Sequence, residues 1–399
     1  MIDVILIIIF SFFIHIGCYL YVSRKENNYL NVFFPTMIGL IPVNFIFEPL
    51  WLYYNGLFGS VYSYFYLYLC STAIILSMSL AYVNTPNRLI LKLPFSKIRA
   101  KPRFLSYSLL IIAFLIYLPV LIEFREFILE PREIYTRTRT GYGFYFFVSS
   151  FLAIIGFILL LFSRRVTVVN ILIVTVLDAI FLYLHGSKGQ VLVLLMILAF
   201  YYTYVKGWRV NIKKLVIVIS TTATLVIGLF ILTTSYEYDN IFKVMLGYSD
   251  YNRNAMIVID KNDSNYGGRI TFESNFYSRI PRSIMPNKPK DYGVFKLAKK
   301  YFPDWYYADT GSPAFGFGIQ YADFGDYAVF YLIFWGVFTG FLLKVFINRL
   351  KLFESPGDFM IVLFLSGIVL IPLGDGYLLP EHLVVALLIN MALAIKFKT

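Results

Sequence analysis

Eleven stretches of near-continuous apolar residues divide this chain. Most run to about 20 residues, the length of helix that crosses the hydrocarbon of a bilayer. They lie near 2–22, 29–53, 60–83, 104–124, 144–163, 166–185, 191–205, 215–235, 318–343, 359–374 and 381–395. Such a run is far too long for a barrel strand, and in lipid only helices and closed barrels satisfy every backbone group. The expected fold class is therefore an all-α polytopic membrane protein with about 11 transmembrane helices. The shortage of charge points the same way: 15% of the 399 residues are charged, against about 25% in a soluble domain. The second run is interrupted by Pro35, Pro42 and Pro49, and the seventh is short. The opening MIDVILIIIF has no basic residue ahead of its apolar stretch, so no cleaved signal peptide is expected.

The net charge of +12 raises the question of a nucleic-acid partner. The placement of the charge argues against one. Of the 35 Lys and Arg residues, 19 fall in the loops 23–28, 84–103, 164–165, 206–214, 344–358 and the tail 396–399. The short loops on the other side, 54–59, 125–143, 186–190 and 375–380, hold 5. The positive-inside rule then puts the N-terminus outside, the C-terminus in the cytoplasm, and the one long loop, 236–317, outside. The basic, apolar stretch 84–103 is expected to lie on the anionic inner leaflet. The division expected is 1–235 with eight spans, 236–317 as a large external loop, and 318–399 with three more spans.

The long loop carries the remaining 11 basic residues, mixed with aromatics and prolines. Arg269, Glu273, Arg279, Arg282, Lys288 and Lys290 are densely spaced there, and Pro281 and Pro286 fix the backbone locally. Arginines held in fixed geometry suit a diphosphate, whose charge is costly to bring into a low-dielectric site. Glu273 is the acid best placed among these cations to act as a base. The plain alternative is electrostatic docking on lipid headgroups. Residues 292–302 (YGVFKLAKKYF) alternate Phe295, Leu297 and Ala298 with lysines, which predicts a short amphipathic helix at the membrane interface.

Two shorter loops offer cations to the same side. In 125–143, Arg137 and Arg139 precede a Gly-Tyr-Gly turn. They either grip a phosphate or carboxylate through forked hydrogen bonds, or pair internally with Glu126, Glu130 and Glu133. In His185-Gly186-Ser187-Lys188-Gly189 the glycines allow close backbone approach and Lys188 offers a point charge, though the spacing is not that of a Walker loop. Nine ionisable residues fall at the external ends of spans: Glu48, Glu123, Asp178, Asp323, Asp326, Asp375, Glu381, His185 and His382. Their grouping predicts an outward-facing polar cavity. The segment 311–330 (GSPAFGFGIQYADFGDYAVF) supplies aromatic faces for a sugar platform, whereas Gly336 and Gly340 read as a helix-packing pair. Cys18 and Cys70 both sit in apolar runs, which predicts buried free thiols. The three histidines form no cluster with metal-ligand spacing, and no metal or other cofactor is expected.

These features together resemble the bacterial O-antigen and capsule repeat-unit polymerases, the Wzy-type family. The likeness covers most of the chain in length, number of spans, Phe, Tyr and Ile content, and one large external loop near the C-terminal third. At residue level it is carried by Gly186-Ser187-Lys188-Gly189, by Arg279-Ile280-Pro281-Arg282 with Pro286 and Pro289, and by Gly318 with Tyr321-Ala322-Asp323-Phe324-Gly325. Lys188 stands where the family more often has arginine. The resemblance implies a metal-independent glycosyltransferase of the GT-C type in the bacterial inner membrane. It would join oligosaccharide repeat units carried on undecaprenyl diphosphate into O-antigen or capsular polysaccharide. Its partners would be that lipid-linked oligosaccharide, the bilayer and a chain-length regulator protein. Displacement at an anomeric carbon needs cations on the diphosphate and a base at the acceptor hydroxyl. Arg279, Arg282 and Arg269 are expected on the diphosphate, assisted by Arg137, Arg139 and Lys188. Glu273 is expected as base, ahead of Asp309, His382 and His185. Asp309 and Tyr321 are further substrate-contact candidates.

Three other functions fit parts of the pattern. O-antigen ligases resemble this chain but usually carry a histidine in the large external loop, and none lies between Tyr236 and Phe317. A flippase or transporter of the lipid-linked sugar would show two related halves, and no repeat is visible here. Transferases using a polyprenyl monophosphate sugar resemble one another in an acidic pair in a large first external loop, which here is only NGLFGS.

Overall fold

The computed structural model describes residues 1–91, 102–138, 141–163, 166–186, 188–234, 246–278, 280, 284–307, 313–367 and 380–394. Among these, regular structure is helical throughout, and each of the apolar runs carries a helix. The helices are α1 (Ile2–Glu26), α2 (Phe34–Pro42), α3 (Glu48–Asn55), α4 (Val61–Asn84), α5 (Pro102–Glu123), α6 (Pro131–Thr138), α7 (Gly143–Leu161), α8 (Val168–Leu184), α9 (Lys188–Phe200) and α10 (Ile212–Thr234). After these come α11 (Asp250–Lys261), α12 (Arg269–Ser278), α13 (Val294–Tyr301), α14 (Pro303–Tyr307), α15 (Gly318–Phe324), α16 (Ala328–Phe353), α17 (Pro356–Leu365) and α18 (Pro380–Ala394). Among the described residues, six helical stretches are long and apolar enough to cross a membrane: 2–26, 34–55, 61–84, 102–123, 143–161 and 318–353. Shorter apolar helices occupy 168–184, 189–205, 356–365 and 384–394. The protein is a polytopic, all-helical membrane protein.

Local chemistry sets several boundaries. Ser60 caps α4 by accepting the Ser63 N–H, Thr167 caps α8 through Asn170, and Ser355 caps α17 through Asp358. Of the prolines in the second span, Pro35 and Pro49 sit in the first turns of α2 and α3, and Pro42 marks an irregularity inside a continuous helical stretch. Directly after Pro42 the backbone opens into a π turn, Val43–Phe47, before α3 resumes at Glu48.

The membrane core is built on α4 and α16, with α1, α7, α9 and α17 around them. The packing role expected of Gly336 and Gly340 is explained by this contact. A Cβ on Gly340 would collide with the Met78 carbonyl, and one on Gly336 would lie 2.7 Å from the Ile74 carbonyl. Only a bare backbone lets the two helices approach so closely. At the end of α16 away from the long loop, Lys344 donates to Glu26 at 2.9 Å and Tyr82 donates to the same carboxylate at 2.9 Å. Arg349 is fully buried there and pairs with Asp358 at 3.2 Å. Cys18 and Cys70 are buried free thiols.

The long loop has a hydrophobic core of its own. Val258 of α11, Ile270 of α12, Leu297 and Ala298 of α13, and Phe315 meet Ile319 and Ala322 of α15. The helix expected over 292–302 is present as α13. Its apolar face, however, is turned into this core and not onto lipid: Leu297 and Ala298 are completely buried. A second cluster ties the loop to the spans, with Ala255 and Met256 of α11 packed among Val4, Ile8, Leu52, Tyr64 and Tyr68.

Candidate functional site

Helix α12 presents two unlike faces. Ile270, Glu273 and Ser274 are buried. Arg269 and Phe272, one turn apart, have side chains 68% and 67% exposed. Phe272 and Phe276 lie parallel, their ring centroids 5.8 Å apart and their planes at 8°. An exposed helix face made of an arginine and two stacked phenylalanines is not a solvated surface of the usual kind.

The buried face holds that display in place. Arg269 donates through Nε to Glu273 Oε1 at 2.5 Å, an i,i+4 pair. Lys296, from α13, donates to Glu273 Oε1 at 2.8 Å and lies 2.7 Å from Oε2. The Gly293 N–H donates to Oε2 at 2.9 Å. Burial by itself raises the Glu273 carboxyl, but the hydrogen bonds from Lys296, Gly293 and Arg269 outweigh it and hold the carboxyl below its usual range. Gly293 is required where it stands: its φ is +51°, and a Cβ there would run into Ser274. Arg269 spends its Nε edge on Glu273, yet its side chain stays exposed, as do Phe272 and Phe276. The arrangement carries two cations on one carboxylate, which suits it to hold an anionic group of a ligand with an apolar portion.

The base of α12 rests on α15. Asp323, fully buried, accepts the backbone N–H groups of Ile270 and Thr271, each at 2.8 Å. The first-turn N–H groups that have no partner within the helix are thereby satisfied from another element. Tyr321, the expected sugar contact, sits at the junction of loop and spans. Its ring meets Tyr66 edge-on at 4.9 Å, and Tyr66 donates to the Gly325 carbonyl at 2.8 Å. Beside it, Tyr62 donates to Asp326, which is exposed.

A second group of expected residues forms a closed corner. His185 is fully buried, with Nε2 2.8 Å from Ser149 Oγ, Nδ1 2.8 Å from the Phe181 carbonyl, and its ring stacked on Tyr117 at 3.8 Å. Both ring nitrogens are engaged. Gly186, with φ +66°, lets α6 sit directly on the turn, and a Cβ there would collide with the Pro131 carbonyl. Arg137 of α6 pairs with Glu133 at 3.4 Å and covers the Phe127 ring at 4.1 Å, which is the internal pairing that the sequence left open.

Arg279, Arg282, Arg139 and Asp309 lie outside the described residues, as do the side chains of Lys188 and His382. Of the expected site residues, the structure brings Arg269 and Glu273 together and leaves Arg137 and Tyr321 in separate surroundings. Of the nine ionisable residues expected to line a cavity, Glu48, Asp178, Asp323 and His185 are buried and Glu123 and Asp326 are exposed, while Asp375 and the side chains of Glu381 and His382 lie outside the described residues. Two partners were missed from the sequence. Lys296 was read only as one of the polar-face lysines of an amphipathic helix. Arg253 was not singled out, and it is buried against Glu48.

No protein-family model matches the chain, and no solved structure is detectably similar to it. It is 37% identical over 376 residues to an O-antigen polymerase of Salmonella typhimurium (strain LT2), covering 94% of this chain and 91% of that protein. The same identity and coverage hold for an O-antigen polymerase of Salmonella typhi.

Proposed function

The chain belongs to the O-antigen polymerase family, and from that premise we propose that it joins oligosaccharide repeat units carried on a polyprenyl diphosphate, of the undecaprenyl kind, by glycosyl transfer. The carrying observation is the end-to-end match, 94% of the chain at 37% identity. In this reading the hydroxyl at the non-reducing end of one lipid-linked unit attacks the anomeric carbon of the growing chain. The bond to the lipid diphosphate breaks, the diphosphate leaves with its electron pair, and the hydroxyl proton passes to a base.

The leaving group needs positive charge. Arg269, held by Glu273 through its Nε edge, supplies it in our reading, together with Arg279 and Arg282. These side chains take the place a metal ion holds in other transferases, so we read the transfer as metal-independent. Phe272 and Phe276 suit the isoprenoid or the sugar beside the diphosphate. Arg137, Arg139, Lys188, Asp309 and Tyr321 are proposed to assist along the substrate path. Glu273 would have to give up Lys296, Gly293 and Arg269 before taking a proton, and we assign it to orienting Arg269. Asp326, exposed and hydrogen-bonded to Tyr62, is the better disposed proton acceptor. We place the enzyme in a bacterial inner membrane, N-terminus and long loop outside, and expect a chain-length regulator beside it.

The test uses purified protein with undecaprenyl-diphosphate-linked repeat unit as sole substrate, with and without a chelator. A ladder of products spaced by one repeat, unaffected by the chelator, is the expected result. A single transfer that needs a separate lipid A core acceptor would make the protein a ligase. Movement of the lipid across a liposome bilayer with no covalent product would make it a transporter.

A further inference from the structure

The second span carries a buried acid at the point where its helix is least regular. Glu48 follows the π turn 43–47 directly and is fully buried. Tyr64 donates to Glu48 Oε1 at 3.4 Å, and the cation beside that carboxylate belongs to the long loop. Arg253, on α11, lies 3.5 Å from Glu48 Oε2, and the two side chains are 5% and 0% exposed. The Arg253 guanidinium covers the Trp51 ring at 3.7 Å. It also donates to Ser249 Oγ at 2.8 Å and pairs with Asp250. The preceding residue, Asn252, donates to Asn44 Oδ1 at 3.0 Å, and Asn44 lies in the π turn itself.

Charge is expensive at this depth and persists where it does work. What this pair touches says what the work is. Helix α11 is pinned to the second span at one end by Arg253 and Asn252. At its other end, Asp260 accepts the Ser60 N–H at 2.9 Å at the start of α4. Against its middle lies α15, so close that a Cβ on Gly318 would be 2.9 Å from the Ala255 Cα. The α15 carboxylate Asp323 in turn holds the N-terminus of α12. A continuous set of contacts therefore runs from Glu48 through Arg253, α11 and α15 to the face bearing Arg269, Phe272 and Phe276.

We propose that Arg253 and Glu48, with Trp51, are positioning residues for the transfer: the pair fixes where the Arg269–Phe272–Phe276 face stands over the second span. The inference rests on the reading of that face as the diphosphate site. Arg253 touches no substrate. It acts by placing α11, and a misplacement of about 1 Å costs a reaction up to about a hundredfold.

The experiment combines distance and rate. Spin labels are placed at Tyr53→Cys on α3 and Ser278→Cys on α12, and the distance between them is measured by pulsed dipolar spectroscopy in nanodiscs. The same preparations are assayed for chain growth on lipid-linked repeat unit. Arg253→Met and the shape-preserving Glu48→Gln are compared with wild type, and Arg253→Lys serves as the conservative variant. We expect a narrow wild-type distance distribution that broadens in Arg253→Met and Glu48→Gln. We expect kcat to fall about tenfold or more with KM changed far less, with partial recovery in Arg253→Lys. The double variant should be no worse than Arg253→Met, because the two residues act through one contact. A full rate in Arg253→Met overturns the proposal whatever the distances show. A reduced rate with an unchanged distance distribution also overturns it, since Arg253 would then act on the substrate directly. Glu48→Gln keeps the test alive if Arg253→Met fails to fold. The distance measurement needs no activity: if wild type makes no ladder the polymerase reading fails alone, and a distribution that broadens in Arg253→Met still supports the placement of the face while an unchanged one overturns it.

Discussion

Asp323 holds Ile270 by its backbone: the carboxylate accepts the Ile270 N–H at 2.8 Å, and that of Thr271 at the same distance. A side chain of the segment that re-enters the membrane thus serves as the N-terminal cap of a helix in the external loop. Asp323→Ala is expected to destabilise the protein by about 1–2 kcal/mol, the usual loss for a removed cap. Hydrogen exchange should rise at the first turn of α12 before it rises in the spans. Unchanged protection at Ile270 and Thr271 would show that the cap is dispensable.

Arg269→Ala removes the exposed guanidinium and leaves the α12 helix otherwise intact. The expected loss in kcat is about a hundredfold to a thousandfold, the scale for one donor on a developing negative charge. Arg269→Lys should recover only part of it, because lysine lacks the fork. A parallel Asp326→Asn variant should lose turnover while retaining binding of the lipid-linked donor. Full turnover in Asp326→Asn would return the base to one of the other acids.

The Glu273 carboxyl is held below its usual range, and this gives a pH dependence with a definite sign. A depressed folded value means that the contribution to stability is present above the unfolded value, about 4.3 for glutamate. It is lost as the pH falls through the lower folded value. The α12–α13 contact should therefore resist proteolysis at neutral pH and open under acid conditions. Glu273→Gln should be cleaved more readily than wild type at pH 7 and show a weaker acid response. Equal cleavage of the two proteins at pH 7 would refute the assignment.

Gly340 lies against the Met78 carbonyl with no room for a side chain. Gly340→Val is expected to push α16 away from α4 and to destabilise the protein by about 1–3 kcal/mol, the cost of overpacking, read as a lower melting temperature in detergent. Gly228, with nothing within 4 Å of an added Cβ, is the control, and Gly228→Ala should be neutral.

Gly186 combines a left-handed backbone with contact to the Pro131 carbonyl. Gly186→Ala should detach α6 from the turn, exposing His185 to modification by diethyl pyrocarbonate, which the wild-type packing excludes. An unreactive His185 in that variant would show that α6 is held by other contacts.

Some of the site was legible before folding was considered. Arg269 and Glu273 stand out together in the sequence as site residues, but their i,i+4 pairing appears only with the helix that the structure places over them. The packing role of Gly336 and Gly340 follows from their spacing in an apolar helix. Other readings had the right residues and the wrong surroundings. Asp323 was grouped with residues lining a cavity, yet it is buried and spent on two backbone N–H groups. The apolar face of 294–301 suggested contact with lipid, because periodicity reveals an apolar face and is silent about what covers it. Glu273 suggests a base by the company of arginines; its further partners, Lys296 and Gly293, come from α13 and its N-cap.

What the sequence by itself determined is the class of protein. A run of about 20 apolar residues must be helical in lipid, because each residue's backbone partner lies within the same segment, and that requirement is local. The end-to-end likeness to O-antigen polymerases is equally a property of the chain read in order. What only the tertiary structure decided is how the charges are spent. Glu48 meets Arg253, Asp323 meets the start of α12, and Lys296 meets Glu273 because helices far apart in the chain are packed against one another. An ion pair forms by distance in space, and its strength depends on burial that the same packing creates. Whether a buried acid takes a proton, caps a helix or holds an arginine in place is therefore settled only when the helices come together.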